Sequence, residues 1–159
     1  MKIKIYAIGK IKEQYLKDGI DAYLKRIQPY SQIEIVEVSD ESIAENPHDS
    51  EIKKAIELEG QKVLKLLKTN EYLIGLDLNK KELNSVEFAE YLNKKFVLGG
   101  SSISFVIGGS YGLSDELKQR CNDRISLSKM TFLHQMTRLI LLEQIYRAFK
   151  INRNETYHK

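Results

Sequence analysis

ISFVIGGSYGLSD, residues 103–115, is an apolar run that enters a glycine-rich loop and leaves it through the start of a helix. Ile103 to Ile107 is nearly all apolar, the mark of a strand covered on both faces. Ser114 can cap a helix whose first turn carries Asp115 and Glu116, where acids favour the positive end of the helix dipole. Strand, loop and helix in that order are the unit of a parallel α/β sheet. The loop Gly108–Gly112 fits neither G-x-G-x-x-G nor the phosphate loop, since no G-K-[ST] follows. Two readings stay open. The glycines serve a tight turn, or Gly108 and Gly109 let a flat ligand such as adenine approach backbone N–H and C=O groups.

The same alternation runs outward in both directions. KIKIYAI (2–8), IEIVEV (33–38), YLIGLDL (72–78), SISFVIG (102–108) and RISLS (124–128) read as strands. Between them, 13–27 places Tyr15, Leu16, Ile20, Tyr23, Leu24 and Ile27 on one helical face, with Gln28-Pro29 as the stop. A second stripe over 51–68 includes Ile52, Ala55, Ile56, Val63, Leu66 and Leu67. Ser85 is positioned to cap a helix over 86–97, and 132–150 is the longest helical stretch. The polar segment 39–50 reads as a loop. The expected fold is one domain over 1–159, a parallel sheet with helices on both faces. Ligands in such sheets sit outside the C-terminal strand ends, here around Leu76–Leu78, Gly108–Gly112 and Leu127–Thr131. The segment Ser128, Lys129, Met130 falls beside one of these ends, and Met130 offers a soft apolar wall. A nucleoside without a polyphosphate suits this set.

At 159 residues, 42% hydrophobic and 30% charged, the composition is that of a globular protein. No signal peptide and no membrane span are read from the chain, and a single cysteine, Cys121, suits a reducing compartment. A cytoplasmic location is expected. Three histidines and one cysteine offer no metal-ligand cluster, so no metal is expected. The net charge of +3 is uneven: residues 124–159 hold seven Lys and Arg against two acids, and the rest of the chain is slightly negative. A polyanionic partner for the C-terminal region and a solvated basic helix face both account for this. Leu139, Ile140, Leu141 and Leu142 in succession cover more than one face of the last helix, which suits a subunit interface.

FVIGGSYGLSDEL, then ISLSKMTFLHQMTRLILLEQIYRAFKI, then the terminal YHK, resemble the RlmH family of SPOUT methyltransferases, and the likeness spans the whole chain. The resemblance implies an α/β fold with a C-terminal trefoil knot, an exception to the rule that chain connections do not thread. It implies a homodimer that uses S-adenosylmethionine to methylate N3 of a pseudouridine in large-subunit ribosomal RNA, on the assembled ribosome. Carried over by position, the cofactor pocket falls on Leu76, Gly108, Leu127, Ser128, Lys129, Met130, Thr131 and Phe132. The catalytic group falls on the tail: His158 for proton transfer, Tyr157 against the target base, and Arg153 on phosphate or a base carbonyl. The tail departs from the family in having Asn154 where Gly is usual and Thr156 where Pro is usual. Asn accepts left-handed backbone better than most residues, so the turn is expected to survive. His134 reads as structural and Cys121 as inert. The competing expectation is a non-catalytic RNA- or ribosome-binding protein with a methyltransferase-like fold.

Overall fold

A computed structural model describes residues 1–159. Five strands, β1 (Lys2–Ile8), β2 (Gln32–Val38), β3 (Leu73–Glu82), β4 (Ser102–Ile107) and β5 (Asp123–Ser126), alternate with five helices. These are α1 (Gln14–Ile27), α2 (Asp49–Leu64), α3 (Ser85–Leu98), α4 (Asp115–Arg120) and α5 (His134–Asn152). The sheet order is β2-β1-β4-β3-β5, and every pairing is parallel.

The two-residue period of a strand sorts the core into two layers. From β1 and β4, Ile3, Ile5, Ile103, Phe105 and Ile107 pack on one side with Ile20 of α1, Leu92 of α3 and Leu141, Leu142 and Ile145 of α5. Tyr6, Ile8 and Val106 face the other side, against Val63 of α2 and Leu117 of α4. Burial on both faces is why these strands carry near-continuous apolar runs. Helices therefore cover both faces, as the alternation predicted.

Four local readings change. Tyr15, placed on the inner stripe of α1, is 60% exposed. The second helix stops at Leu64, which leaves Leu66 in solvent. The cap of α3 is Asn84, whose side chain accepts from the Glu87 amide, while the Ser85 hydroxyl donates to Gln144 Oε1 at 2.8 Å. The third strand is longer than expected and irregular. Leu76 and Lys81 both lie opposite Ile125, so residues 77–80 bulge out of the ladder.

After β5, at one edge of the sheet, residues 127–133 cross its C-terminal end to reach β1, where α5 begins. Lys12 N–H donates to Gln135 Oε1 at 3.0 Å, and Arg138 donates to the Gly9 carbonyl at 3.2 Å and to Glu37 Oε2 at 2.6 Å. Arg138 is 3% exposed, so these bonds clamp the head of α5 to the ends of β1 and β2. From there α5 runs down between α1 and α3.

Candidate active site

A cavity of about 490 Å³ opens at the C-terminal ends of β3, β4 and β5, a size suited to a nucleoside-class ligand. Three loops and the head of α5 line it: the β3 bulge from Leu76 to Asn79, the glycine loop Gly108–Leu113, and the crossing segment from Ser126 to His134 apart from Lys129. These are the strand ends singled out by topology. Of the eight residues expected to hold a cofactor, Leu76, Gly108, Leu127, Ser128, Met130, Thr131 and Phe132 are brought together on its wall. Lys129 is not on the wall; its side chain is 89% exposed and 4.0 Å from Glu82.

The glycine loop closes on itself. Gly109 and Gly112 form a bridge, the Gly112 amide donates to the Gly109 carbonyl at 3.1 Å, and Gly112 has φ +87°. A Cβ on Gly108 would lie 2.6 Å from the Gly112 carbonyl carbon. Gly108 is therefore needed first for the turn, and the turn shapes the wall. Behind it, the buried Glu59 carboxylate accepts from the Glu41 amide at 2.9 Å and would lie 3.3 Å from a Cβ on Gly109. Burial raises the Glu59 pKa, and the neighbouring Asp40 and Glu41 carboxylates add to that rise against the opposing pull of the Glu41 amide and Lys62. In the crossing segment the Ser128 hydroxyl accepts from the Met130 amide at 2.9 Å, and Ser126 donates to the Ser128 carbonyl at 2.8 Å. These short side-chain bonds hold the loop in a turn.

The charge around the cavity is small and nearly balanced. Lys118 is the one Lys or Arg on the wall, and it lies 4.0 Å from Asp77, which also pairs with Arg124 at 3.2 Å. A triphosphate would find no compensating cluster here. A neutral or cationic nucleoside derivative fits. Asp77, Asn79 and Tyr111 were not singled out from the sequence, and His134, read there as structural, lies on the cavity wall; the bulge that presents Asp77 is visible only in the β3–β5 register. Burial lowers the His134 pKa, Asp40 opposes that shift, and Arg138 and Lys12 assist it. The ring thus favours its neutral form at the cavity edge.

The expected catalytic tail lies elsewhere in the same chain. After α5, Asn154 takes φ +54°, the left-handed turn expected of it, and the tail folds back along the helix. Arg153 stacks on Tyr30 with its guanidinium 4.7 Å from the ring centroid. The Tyr157 hydroxyl donates to Glu143 Oε1 at 3.0 Å, so the Tyr23 hydroxyl, 3.2 Å away, donates to Tyr157. Arg147 lies 4.7 Å from the Tyr157 ring centroid, and its Nη1 is 3.2 Å from His158 Nδ1. A guanidinium only donates, so Nδ1 accepts and the neutral ring carries its proton on Nε2. Thr137 is the last cavity residue on α5. At 1.5 Å of rise per residue, Arg147 stands about 15 Å further along the axis. The tail does not reach the cavity of its own chain.

The basic C-terminal quarter is largely neutralised. Arg124, Arg138, Arg147 and Lys150 pair with Asp77, Glu37, Glu143 and Glu155. Lys129, Arg153 and Lys159 stay exposed. Burial pushes the Cys121 thiol up to about 11 despite Arg124 and Arg120, which makes it a poor nucleophile. No group of three or more His, Cys, Asp or Glu is placed to hold a metal ion, and no helix is long and apolar enough to cross a membrane.

The family model described as "Predicted SPOUT methyltransferase" matches residues 1–158. The chain is 49% identical over 159 residues to the ribosomal RNA large subunit methyltransferase H of Carboxydothermus hydrogenoformans, 50% to that of Clostridioides difficile and 47% to that of Enterococcus faecalis. Each match covers the whole of both chains. Among solved structures, a methyltransferase of Legionella pneumophila described with bound S-adenosylmethionine matches with a TM-score of 0.51 at 11% identity, over 94% of this chain and 66% of that one, and so shares the fold. The chain belongs to the SPOUT methyltransferase family.

Proposed function

We propose that the protein is a homodimeric S-adenosylmethionine-dependent methyltransferase acting on N3 of a pseudouridine in large-subunit ribosomal RNA. It acts on the assembled ribosome in the cytoplasm. The single observation that carries the reading is the near-neutral cavity at three strand ends, on a chain about half identical throughout to large-subunit ribosomal RNA methyltransferases. When bound, the cofactor would supply a methyl group on a sulfonium: N3 would gain that methyl as the carbon–sulfur bond breaks, the sulfur would leave as a neutral thioether, and the N3 proton would pass to water.

The chain's own residues would bind and orient. The glycine loop and the crossing segment 127–133 offer backbone polar groups to the adenine, with Leu76, Leu127 and Phe132 as apolar walls. The crossing segment is also the stretch that the family's trefoil knot would thread. His158, Tyr157 and Arg153 would meet the target base. His158, with its proton on Nε2, can donate to a carbonyl flanking N3, which favours loss of the N3 proton. Arg153 and Lys159, exposed and without a carboxylate partner, suit the RNA backbone.

Because tail and cavity stand about 15 Å apart along α5, a complete site needs a second copy. Tyr15 is exposed and Leu139 and Ile140 are only partly buried, whereas Leu141 and Leu142 lie in the core. Leu139 packs so closely on α1 that a Cβ at Gly19 would be 3.0 Å from it. This apolar flank of α1 and α5 suits a two-fold contact that brings one chain's tail to its partner's cavity.

The test is calorimetric titration with S-adenosylmethionine of the wild type and of Thr137→Trp, which places a bulky ring on the cavity wall. It is followed by transfer of labelled methyl to large ribosomal subunits. Binding lost in Thr137→Trp, together with transfer by the wild type, is the expected result. RNA affinity with neither cofactor binding nor transfer would instead indicate a binding protein of methyltransferase-like fold.

A further inference from the structure

Glu143 is the hub of the tail, although it belongs neither to the cavity nor to the three residues expected to act on the base. Its Oε1 accepts from Arg147 Nε at 3.1 Å, from Arg147 Nη2 at 2.5 Å and from the Tyr157 hydroxyl at 3.0 Å. Its Oε2 accepts from Gln144 Nε2 at 2.8 Å, and Gln144 in turn accepts from Ser85 of α3. Arg147 then reaches His158 Nδ1. One carboxylate thus holds the residue before His158 in the chain and the side chain that fixes its tautomer. Burial raises the Tyr157 pKa well above the ordinary phenol range, helped by its bonds to Tyr23 and Glu143, so it remains an O–H donor to that carboxylate.

The anchoring is separate from the fold. Glu143 is partly exposed and lies outside both apolar layers. The preceding part of the tail has its own anchor, since Glu155 accepts from Lys150 and from the Tyr30 hydroxyl, both at 2.7 Å. Loss of Glu143 would therefore leave the tail attached at Glu155 with His158 unaimed.

We infer that Glu143 is a positioning residue: through Arg147 and Tyr157 it sets the direction and tautomer in which His158 enters the partner's cavity. This rests on the function and the shared site proposed above. A displacement of about 1 Å in a catalytic group costs on the order of 100-fold in rate. That is the loss expected of Glu143→Leu on large ribosomal subunits, with unchanged binding of S-adenosylmethionine. Glu143→Gln keeps an acceptor oxygen for Tyr157 and Arg147 and should recover most of the rate.

Mixed dimers purified through two tags separate positioning from folding. The reference pair joins a cavity-blocked Thr137→Trp chain to a His158→Ala chain, and restores one working site if tails serve partner cavities. Glu143→Leu paired with Thr137→Trp should be restored equally, because the blocked chain still supplies a sound tail. Glu143→Leu paired with His158→Ala should stay inactive, because both tails are damaged. Full activity of the Glu143→Leu homodimer, or activity of that last pair, overturns the inference. So does failure of the pair with Thr137→Trp while the reference is restored, since that marks a folding lesion. An inactive reference pair overturns the shared site itself and the inference with it.

Discussion

Adding one methyl group at Gly108 tests whether the glycine loop is a closed structural turn. In Gly108→Ala the new Cβ would lie 2.6 Å from the Gly112 carbonyl carbon, 2.7 Å from its oxygen and 2.9 Å from its Cα. All three are backbone atoms, so no side chain can rotate out of the way. The loop has to open against the Gly109–Gly112 bridge. Overpacking of this kind costs about 1–3 kcal/mol, and in a chain of this size each kcal/mol lowers Tm by about 2–4 °C. Because the loop is also cavity wall, a ligand that must restore it loses affinity by about 5- to 150-fold over the same energy range. Gly100→Ala is the control. Its Cβ would meet no atom within 4 Å, but its φ of +66° strains any L-residue, by about 1 kcal/mol. It precedes β4, at the opposite end from the cavity. Thermal melts and S-adenosylmethionine titrations of both variants should show both destabilised and only Gly108→Ala impaired in binding. A Gly108→Ala protein with wild-type Tm and affinity would refute the loop geometry.

Two further outcomes follow from charges the function does not use directly. Arg138 is buried and Glu37 half-exposed. Glu37→Ala therefore strands a buried cation and should cost on the order of 3 kcal/mol, whereas Arg138→Met should cost less, because Glu37 returns to water; urea denaturation ranks the two, and the reverse order would sink this account. Glu59 has a folded pKa above its ordinary value of 4.5, so its protonated form is the one the fold prefers. That contribution is present at pH below the unfolded value and is lost as pH rises through the folded one. Glu59→Gln, fixed in the uncharged form, should be more stable than wild type at neutral pH, and the advantage should vanish in acid. Equal melting temperatures at neutral pH would count against a desolvated carboxylate behind Gly109.

Much of the architecture was legible because it is local. The period of two in KIKIYAI and SISFVIG, and the helical stripes between strands, follow from the need to bury one face or both. They yielded the parallel α/β order with element ends shifted by a few residues. Strand ends also located the cavity, because parallel sheets leave their crevice there. Where the local reading slipped, a competing contact explains it. Asn84 offers α3 a better cap, and Ser85 is engaged by Gln144.

By itself the sequence determined the elements, their alternation, the three loops of the site and the family, since each depends on residues close together in the chain. Only the tertiary structure decided how the basic residues are spent, that Gly108 meets Gly112 before any ligand, and that β3 bulges to present Asp77. It alone tied the tail to Glu143 and Arg147, the latter about 15 Å along α5 from the cavity of its own chain. These outcomes depend on pairs brought together from distant positions, such as Arg138 with Glu37 and Tyr23 with Tyr157. Ion pairing, backbone approach and strand register are set by packing across the sheet, and no periodicity along the chain encodes them.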